Sequence, residues 1–335
     1  MPEKPDAGGL IPKGVAHVEL AGAATTQHVV FLLVPQFSMS AFSAAIEPLR
    51  IANQLTGRPL YQWEVISEDG DAIVASNGVK VGVDGGLRET DRDTIIFVCS
   101  GVEPLEMTSN AVANWIRLQW RLGRYVGGLC TGAYALAKAG ILKNKSFTLH
   151  WENQAAFKEI YQELEPVEQL FVIDGRIVTC AGGSAATDLW AKLIKQDHGQ
   201  LLSQSVLNMC LIPFQRSGSD LQKTFVTARI VSRNPTLAQI VRYFEDNIEA
   251  EIDLDAVGEA IGKSRRQIER LFKRHADITP MKFLSDMRLQ RGRALLSETN
   301  LSVAEAATAS GFTSTSHFSK LYRARYGHSP HHLLT

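Results

Sequence analysis

Residues 124–142 read RYVGGLCTGAYALAKAGIL, and the bend they encode decides the fold of most of the chain. Tyr125 to Leu129 form a short β-rich run that meets Cys130, and helix-forming residues follow at once from Thr131, Gly132 and Ala133. The small residues Gly127, Gly128, Gly132 and Ala133 let a strand turn sharply into a helix. The thiol of Cys130 is then left at the bend, where helix-terminal N–H groups favour its thiolate. That spacing is the spacing of a nucleophile elbow. A small buried cysteine at an ordinary β-to-α crossing gives the same letters, so the stretch alone leaves both readings open.

Outward from the bend, β-rich runs alternate with helical ones. HVVFLLV (28–34) reads as a buried strand, SMSAFSAAIEPLRIANQL (38–55) as a helix, and YQWEVIS (61–67) and DTIIFVC (93–99) as further strands. A helix is expected over 108–122, a hairpin over 168–173 and 176–181 around Gly175, and a helix over 184–199 that stops at Gly199. Such alternation predicts an α/β fold of flavodoxin-like kind, a mainly parallel sheet sandwiched by helices. Ligands in these folds sit beyond the carboxyl ends of the strands, where Cys130 falls.

A chain of 335 residues exceeds one typical core and suggests two domains. Residues 1–27 read as a flexible tail without the apolar stretch of a signal peptide, and no apolar run is long enough to span a membrane. The cysteines, at 99, 130, 180 and 210, are spaced too widely for a metal site or a disulfide framework, so neither metal nor cofactor is expected and a reducing cytoplasm fits. Net charge is zero but unevenly placed. Residues 263–335 hold 13 Lys+Arg against 5 Asp+Glu, a net of +8, which leaves −8 for the rest. A basic module joined to an acidic one points to nucleic acid as a partner.

In PFQRSGSDLQKTFVTARIVSRN (213–234) periodicity fades, and this polar stretch reads as the linker between a first domain at 28–212 and a second at 235–335. After Pro235 the pattern is all-α. SRRQIERLFKRHADITP (264–280) aligns with STSHFSKLYRARYGHSP (314–330) at an offset of 50, matching Ile268 with Phe318, Leu271 with Leu321, Phe272 with Tyr322 and Pro280 with Pro330. Each copy follows a short helix and a tight turn, which makes two helix-turn-helix units, with 280–299 as one long helix between them. The apolar stripe of each second helix turns inward. Ser264, Arg265, Arg266, Gln267 and Arg270 are left outward in the first copy, and Ser314, Thr315, Ser316, His317 and Lys320 in the second. Arg and Gln suit bidentate contacts to guanine and adenine, whereas the second face suits weaker reading or phosphate contacts.

These residues carry a resemblance. Residues 236–334 resemble the AraC/XylS family of bacterial transcription regulators through S-x-R-x-I-x-R-x-F-K at 264–273, R-L-x-x-x-R-x-L-L at 288–296 and GFTSTSHFSKLYRARYGHSP at 311–330. Residues 28 to about 211 resemble the PfpI/ThiJ-like branch of the class I glutamine-amidotransferase-like fold, through residues 31–70, GGLCTGAYALAKAGIL (127–142), LHWE (149–152) and CAGGSAATDL (180–189). The fusion of the two is similar to GlxA-type regulators. Enzymes of the amidotransferase-like branch pair the elbow cysteine with a following histidine and with a glutamate from an early helix. Here Thr131 follows Cys130. The related isonitrile hydratases carry a Cys-Thr pair and also need an aspartate after the first strand, a position that aligns with Ala41. Glu47 is the acid left to reach the thiol, and His150 is either a spare base or a structural histidine beside Trp151.

The resemblance thus implies a vestigial elbow at Cys130, no catalytic residue, and an effector pocket drawn from Phe37, Glu47, Cys130, Thr131, Gly132, His150 and Trp151. Phe37, Glu47 and Trp151 would suit a cationic or quaternary-ammonium ligand, and each is equally a scaffold residue. The expected protein is a cytoplasmic homodimer that binds promoter DNA and a small-molecule effector, works with RNA polymerase, and activates catabolism of an amino acid, betaine, carnitine or similar nitrogenous metabolite. Two other readings are a Cys130-dependent amidase or isonitrile hydratase, and a DNA-binding protein whose first half only dimerises.

Overall fold

The run Val29–Leu33 is buried on both faces, which in a strand requires cover on both sides of the sheet. The computed structural model, which describes residues 11, 14–20, 25–212, 215–220, 222 and 234–333, supplies that cover. The chain divides into two units, one of residues 1–154 and 161–222, the other of residues 155–160 and 223–335.

In the first unit the strands are β1 (Gln27–Leu33), β2 (Tyr61–Ile66), β3 (Ile73–Val74), β4 (Lys80–Val81), β5 (Ile95–Cys99), β6 (Tyr125–Leu129), β7 (Phe171–Asp174) and β8 (Ile177–Cys180). Six form one sheet in the order β2-β1-β5-β6-β8-β7, and β3 and β4 make a separate hairpin. All neighbours in the large sheet run parallel except β7, which returns on β8 through the Gly175 turn. Val29, Phe31 and Leu33 share a core with residues of the helices Met39–Thr56, Ala185–His198 and Gln200–Met209. Val30 and Leu32 point the other way by strand alternation, and the helices Asn110–Arg121 and Ala133–Lys138 pack against β6. Leu129 is level with Cys99 on one side and Cys180 on the other, so the chain leaves the sheet at Cys130 beyond three aligned carboxyl ends.

The sequence boundaries need two corrections. Part of the expected tail is docked: Val18 is buried, its N–H donates to Leu55 O at 2.7 Å, and Leu20 packs on the same core. Val18 and Leu20 cover the last turn of the helix Met39–Thr56, which gives this short apolar pair a reason to order. The expected linker also starts too early, because residues 215–220 and 222 are bonded into the first unit, as described below. Residues 213, 214, 221 and 223–233 of that linker, and 1–10, 12, 13 and 21–24 of the tail, lie outside the described residues.

The second unit is helical throughout its described residues after Asn234: Pro235–Asp246, Leu254–Ile261, Arg265–Ala276, Pro280–Glu298, Val303–Ala309 and Thr315–Tyr326, closed by a short 3-10 turn. It has two cores. Leu237, Phe244, Val257, Ile268 and Phe272 build the first together with Phe283 and Leu284. Val303, Ala306, Phe312, Phe318 and Tyr322 build the second together with Leu289, Leu295 and Leu296. The helix Pro280–Glu298 therefore gives its first half to one core and its second half to the other. At 1.5 Å per residue it is roughly 28 Å long.

Candidate functional site

Cys130 adopts φ +59°, in the left-handed region that a side chain enters only when the surroundings hold it there. Its N–H donates to Cys180 O at 3.0 Å, and its own carbonyl accepts from His150 N at 3.1 Å. Gly182 lies against it, leaving no room for a Cβ there, since that atom would stand 2.8 Å from Cys130 Cβ. The strand-to-helix bend of a nucleophile elbow is thus present. The helix after it, Ala133–Lys138, has only six residues, so the dipole argument for a stabilised thiolate has little helix behind it.

The residues grouped with Cys130 from the sequence have packing and bonds of their own. Thr131 is buried, its hydroxyl donating to Gly101 O at 2.7 Å and lying 3.0 Å from Ser100 Oγ, so it stitches the end of β5 to the bend. Gly132 has no room for a side chain. A Cβ there would meet Val98 O and stand 2.8 Å from Gly128 Cα. Phe37 is wholly buried and packs edge-on against Phe42 at 5.7 Å, so it belongs to the core. Glu47 is exposed and paired with Arg50 at 2.8 Å, on a stretch of helix whose charges act on Cys210. Ala41, where the hydratases hold an aspartate, is buried and carries no acid.

His150 and Trp151 remain beside the bend. The two rings lie 5.6 Å apart, and Trp151 is exposed at its edge. Burial pushes the His150 imidazole below its ordinary value, with Glu152 and Asn153 pulling partly back, which leaves the ring neutral at pH 7.

The sequence did not single out the residues that flank this region. Asp188, fully buried, takes two bonds from the Arg216 guanidinium at 2.9 and 2.6 Å and one from Arg216 N at 2.8 Å. Arg216 also reaches Ser184 Oγ at 2.8 Å, two residues past Gly182. Gln222 donates to Thr148 Oγ1, Leu149 O and Gln169 O, each at 2.9 Å, and accepts from Trp151 N at 2.8 Å. It therefore holds the backbone on both sides of His150. Between these anchors, Gly218 O accepts from Leu170 N at 3.1 Å, so residues 215–220 and 222 form a strap over the first unit. Its only sequence signal is polar and Gly/Ser-rich, which is also how a free linker reads.

The second unit presents the other surface. Arg265, Arg266, Gln267, Arg270, Thr315, Ser316, His317 and Lys320 are all exposed, while Ile268, Phe272, Phe318 and Tyr322 are fully buried, as the helical stripe requires. Their roles differ from the sequence reading. Gln267 is the far half of a capping box: its Oε1 accepts from Ser264 N at 2.8 Å while Ser264 Oγ accepts from Gln267 N at 3.3 Å. Arg265 is drawn back to Glu269 at 3.2 Å and toward Asp255 at 3.8 Å. Arg266 and Arg270 stand outside these bonds. In the second helix Ser314 caps His317 N at 3.3 Å, and the His317 ring leans on Phe312 at 5.9 Å, which leaves Thr315, Ser316 and Lys320 at the tip.

Known proteins share both halves. The DJ-1/PfpI family profile matches residues 27–196 and a helix-turn-helix domain profile matches residues 257–335. The HTH-type transcriptional regulator CdhR of Pseudomonas aeruginosa is 41% identical over 91% of this chain and 90% of its own length. The HTH-type transcriptional regulator GlxA of Rhizobium meliloti is 34% identical over 91% of this chain and 94% of its own. Among solved structures, an AraC family transcriptional regulator from Pseudomonas putida superposes with a TM-score of 0.50 at 25% identity, covering 55% of this chain and 99% of that one. The second unit's two exposed recognition helices agree with those names, and the chain belongs to the GlxA-type transcriptional regulators, in which a DJ-1/PfpI-family domain precedes an AraC-type helix-turn-helix domain.

Proposed function

We propose that this regulator responds to a small nitrogenous metabolite, such as an amino acid, a betaine or carnitine, bound at the elbow of its first unit, and that it acts as a cytoplasmic homodimer which recruits RNA polymerase to the promoters it activates. Gln222 carries the reading. It bonds the backbone on either side of His150, whose N–H is bonded to Cys130 O. A ligand that displaces His150 or Trp151 therefore pulls on Gln222, and the chain runs on from residue 222 toward the DNA-binding residues. Coupling of this kind needs a ligand with different affinity for two arrangements of that segment. Thr131 and Glu47 are engaged by Gly101 O and Arg50, and the relatives are named transcriptional regulators, which favours binding over turnover.

A thermal-shift screen of nitrogenous metabolites, read beside promoter affinity, tests the proposal. A ligand present at a hundred times its Kd stabilises the folded state by about 2.7 kcal/mol. Gln222→Ala is expected to keep most of that stabilisation and to lose the ligand's effect on DNA affinity. Consumption of the ligand, abolished by Cys130→Ser, would instead mark an enzyme.

A further inference from the structure

We infer that Arg288 and Arg291 set the operator spacing this protein reads, by clamping its two helix-turn-helix halves into one rigid head; the inference rests on the DNA-binding role of the second unit. The two residues sit three apart on the helix Pro280–Glu298 and so share a side of it. Arg288 Nε donates to Ile248 O at 2.8 Å and its Nη2 to Ala250 O at 2.6 Å. Those carbonyls follow the helix Pro235–Asp246, which belongs to the first core. Arg291 Nε donates to Ala309 O at 2.9 Å, at the end of the helix Val303–Ala309 in the second half, and its guanidinium pairs with Glu249.

The two halves also touch directly at this joint. Gly311, in the turn of the second helix-turn-helix, has φ +83°, and a Cβ there would run into Ile248 O and stand 2.7 Å from Arg288 Nε. A second tie joins the same partners elsewhere. Asp286, in the half of the linking helix that serves the first core, accepts from Lys282 at 3.0 Å and pairs at 2.5 Å with Arg325 of the second recognition helix. The two recognition helices are thus fixed to each other by more than the helix that joins them.

A rigid pair of readers constrains DNA. One added base pair between two boxes moves the second by about 3.4 Å and turns it by roughly 35° around the axis. A clamped head cannot follow that displacement without losing contacts or deforming the duplex, whereas a loosened head can.

The test uses the full-length protein and a site selected by it from a random DNA pool, compared with versions carrying one or two base pairs inserted between the boxes. For the wild type one insertion is expected to weaken binding by about 100-fold, and for Arg288→Ala by about 10-fold or less, with affinity for the selected site itself reduced less than about 10-fold. Arg291→Gln is expected to relax discrimination in the same direction, and it carries the comparison if Arg288→Ala fails to fold. Arg266→Ala should weaken all versions alike and leave the ratio unchanged, which separates reading from spacing. Unchanged discrimination in folded Arg288→Ala or Arg291→Gln would overturn the clamp, as would a wild type indifferent to the insertion. Failure of the pool to yield any enriched sequence would overturn the DNA-binding reading itself.

Discussion

A valine at 132 would need space that the carbonyl of Val98 and the backbone at Gly128 already occupy. Gly132→Val is therefore expected to destabilise the first unit, by about 1–3 kcal/mol or more, rather than to fill a ligand pocket selectively. Chemical denaturation checks it, and a variant as stable as the wild type would mean that the bend can open. His150 supplies a second expectation at this scale. Its folded pKa lies below the ordinary 6.5, so the unfolded chain binds the proton first as pH falls. Stability is then whole above pH 6.5 and declines below it. His150→Gln should flatten that decline, while His198, also lowered by burial, contributes equally to both proteins and cancels. The thiol bend was legible from Gly127, Gly128 and Gly132 because small residues leave a local mark. Whether Glu47 or Thr131 faced that thiol was not, since Glu47 is taken by Arg50 on its own helix and Thr131 meets Ser100 and Gly101 only through the fold.

Among the elements, the recognition helices show how a residue type can mislead. Helical spacing placed Ile268, Phe272, Phe318 and Tyr322 inside, and they are buried. Gln267 was equally exposed by that spacing and looked like a base reader, yet its place three residues after Ser264 makes it a capping residue. Gln267→Ala should therefore loosen the helix start at a cost of about 1 kcal/mol and weaken every operator variant in proportion. Arg266→Ala should cost about 1–3 kcal/mol and relax preference at one base position. Binding titrations against a set of single-base operator variants separate the two patterns, and a base-specific loss from Gln267→Ala would restore it as a reader. The central strands β1 and β5 were legible as apolar runs, because burial on both faces writes itself into consecutive residues. The short hairpin of β3 and β4 has only two residues per strand and leaves no such run.

On the scale of the whole molecule, the change from alternating to purely helical pattern marked two units, but polarity alone set their junction too early. The bonds from Arg216 to Asp188 and from Gln222 to residues 148–169 join positions far apart in the chain, which no local pattern records. Ending the first unit at residue 212 would leave the buried Asp188 carboxylate without its guanidinium, a loss of about 3–5 kcal/mol for a broken buried pair. A fragment ending at 222 should therefore be soluble and cooperative in thermal unfolding, and one ending at 212 should be neither. Equal behaviour of the two would show that the strap contributes little. The two family profiles match residues 27–196 and 257–335, so this joint lies between them. The same strap sets a rule for shuffling genes. A hybrid regulator that borrows another member's promoter reader inherits a working sensor only if the crossover falls beyond Gln222, because Arg216 and Gln222 are coded within the apparent linker yet belong to the sensor's half.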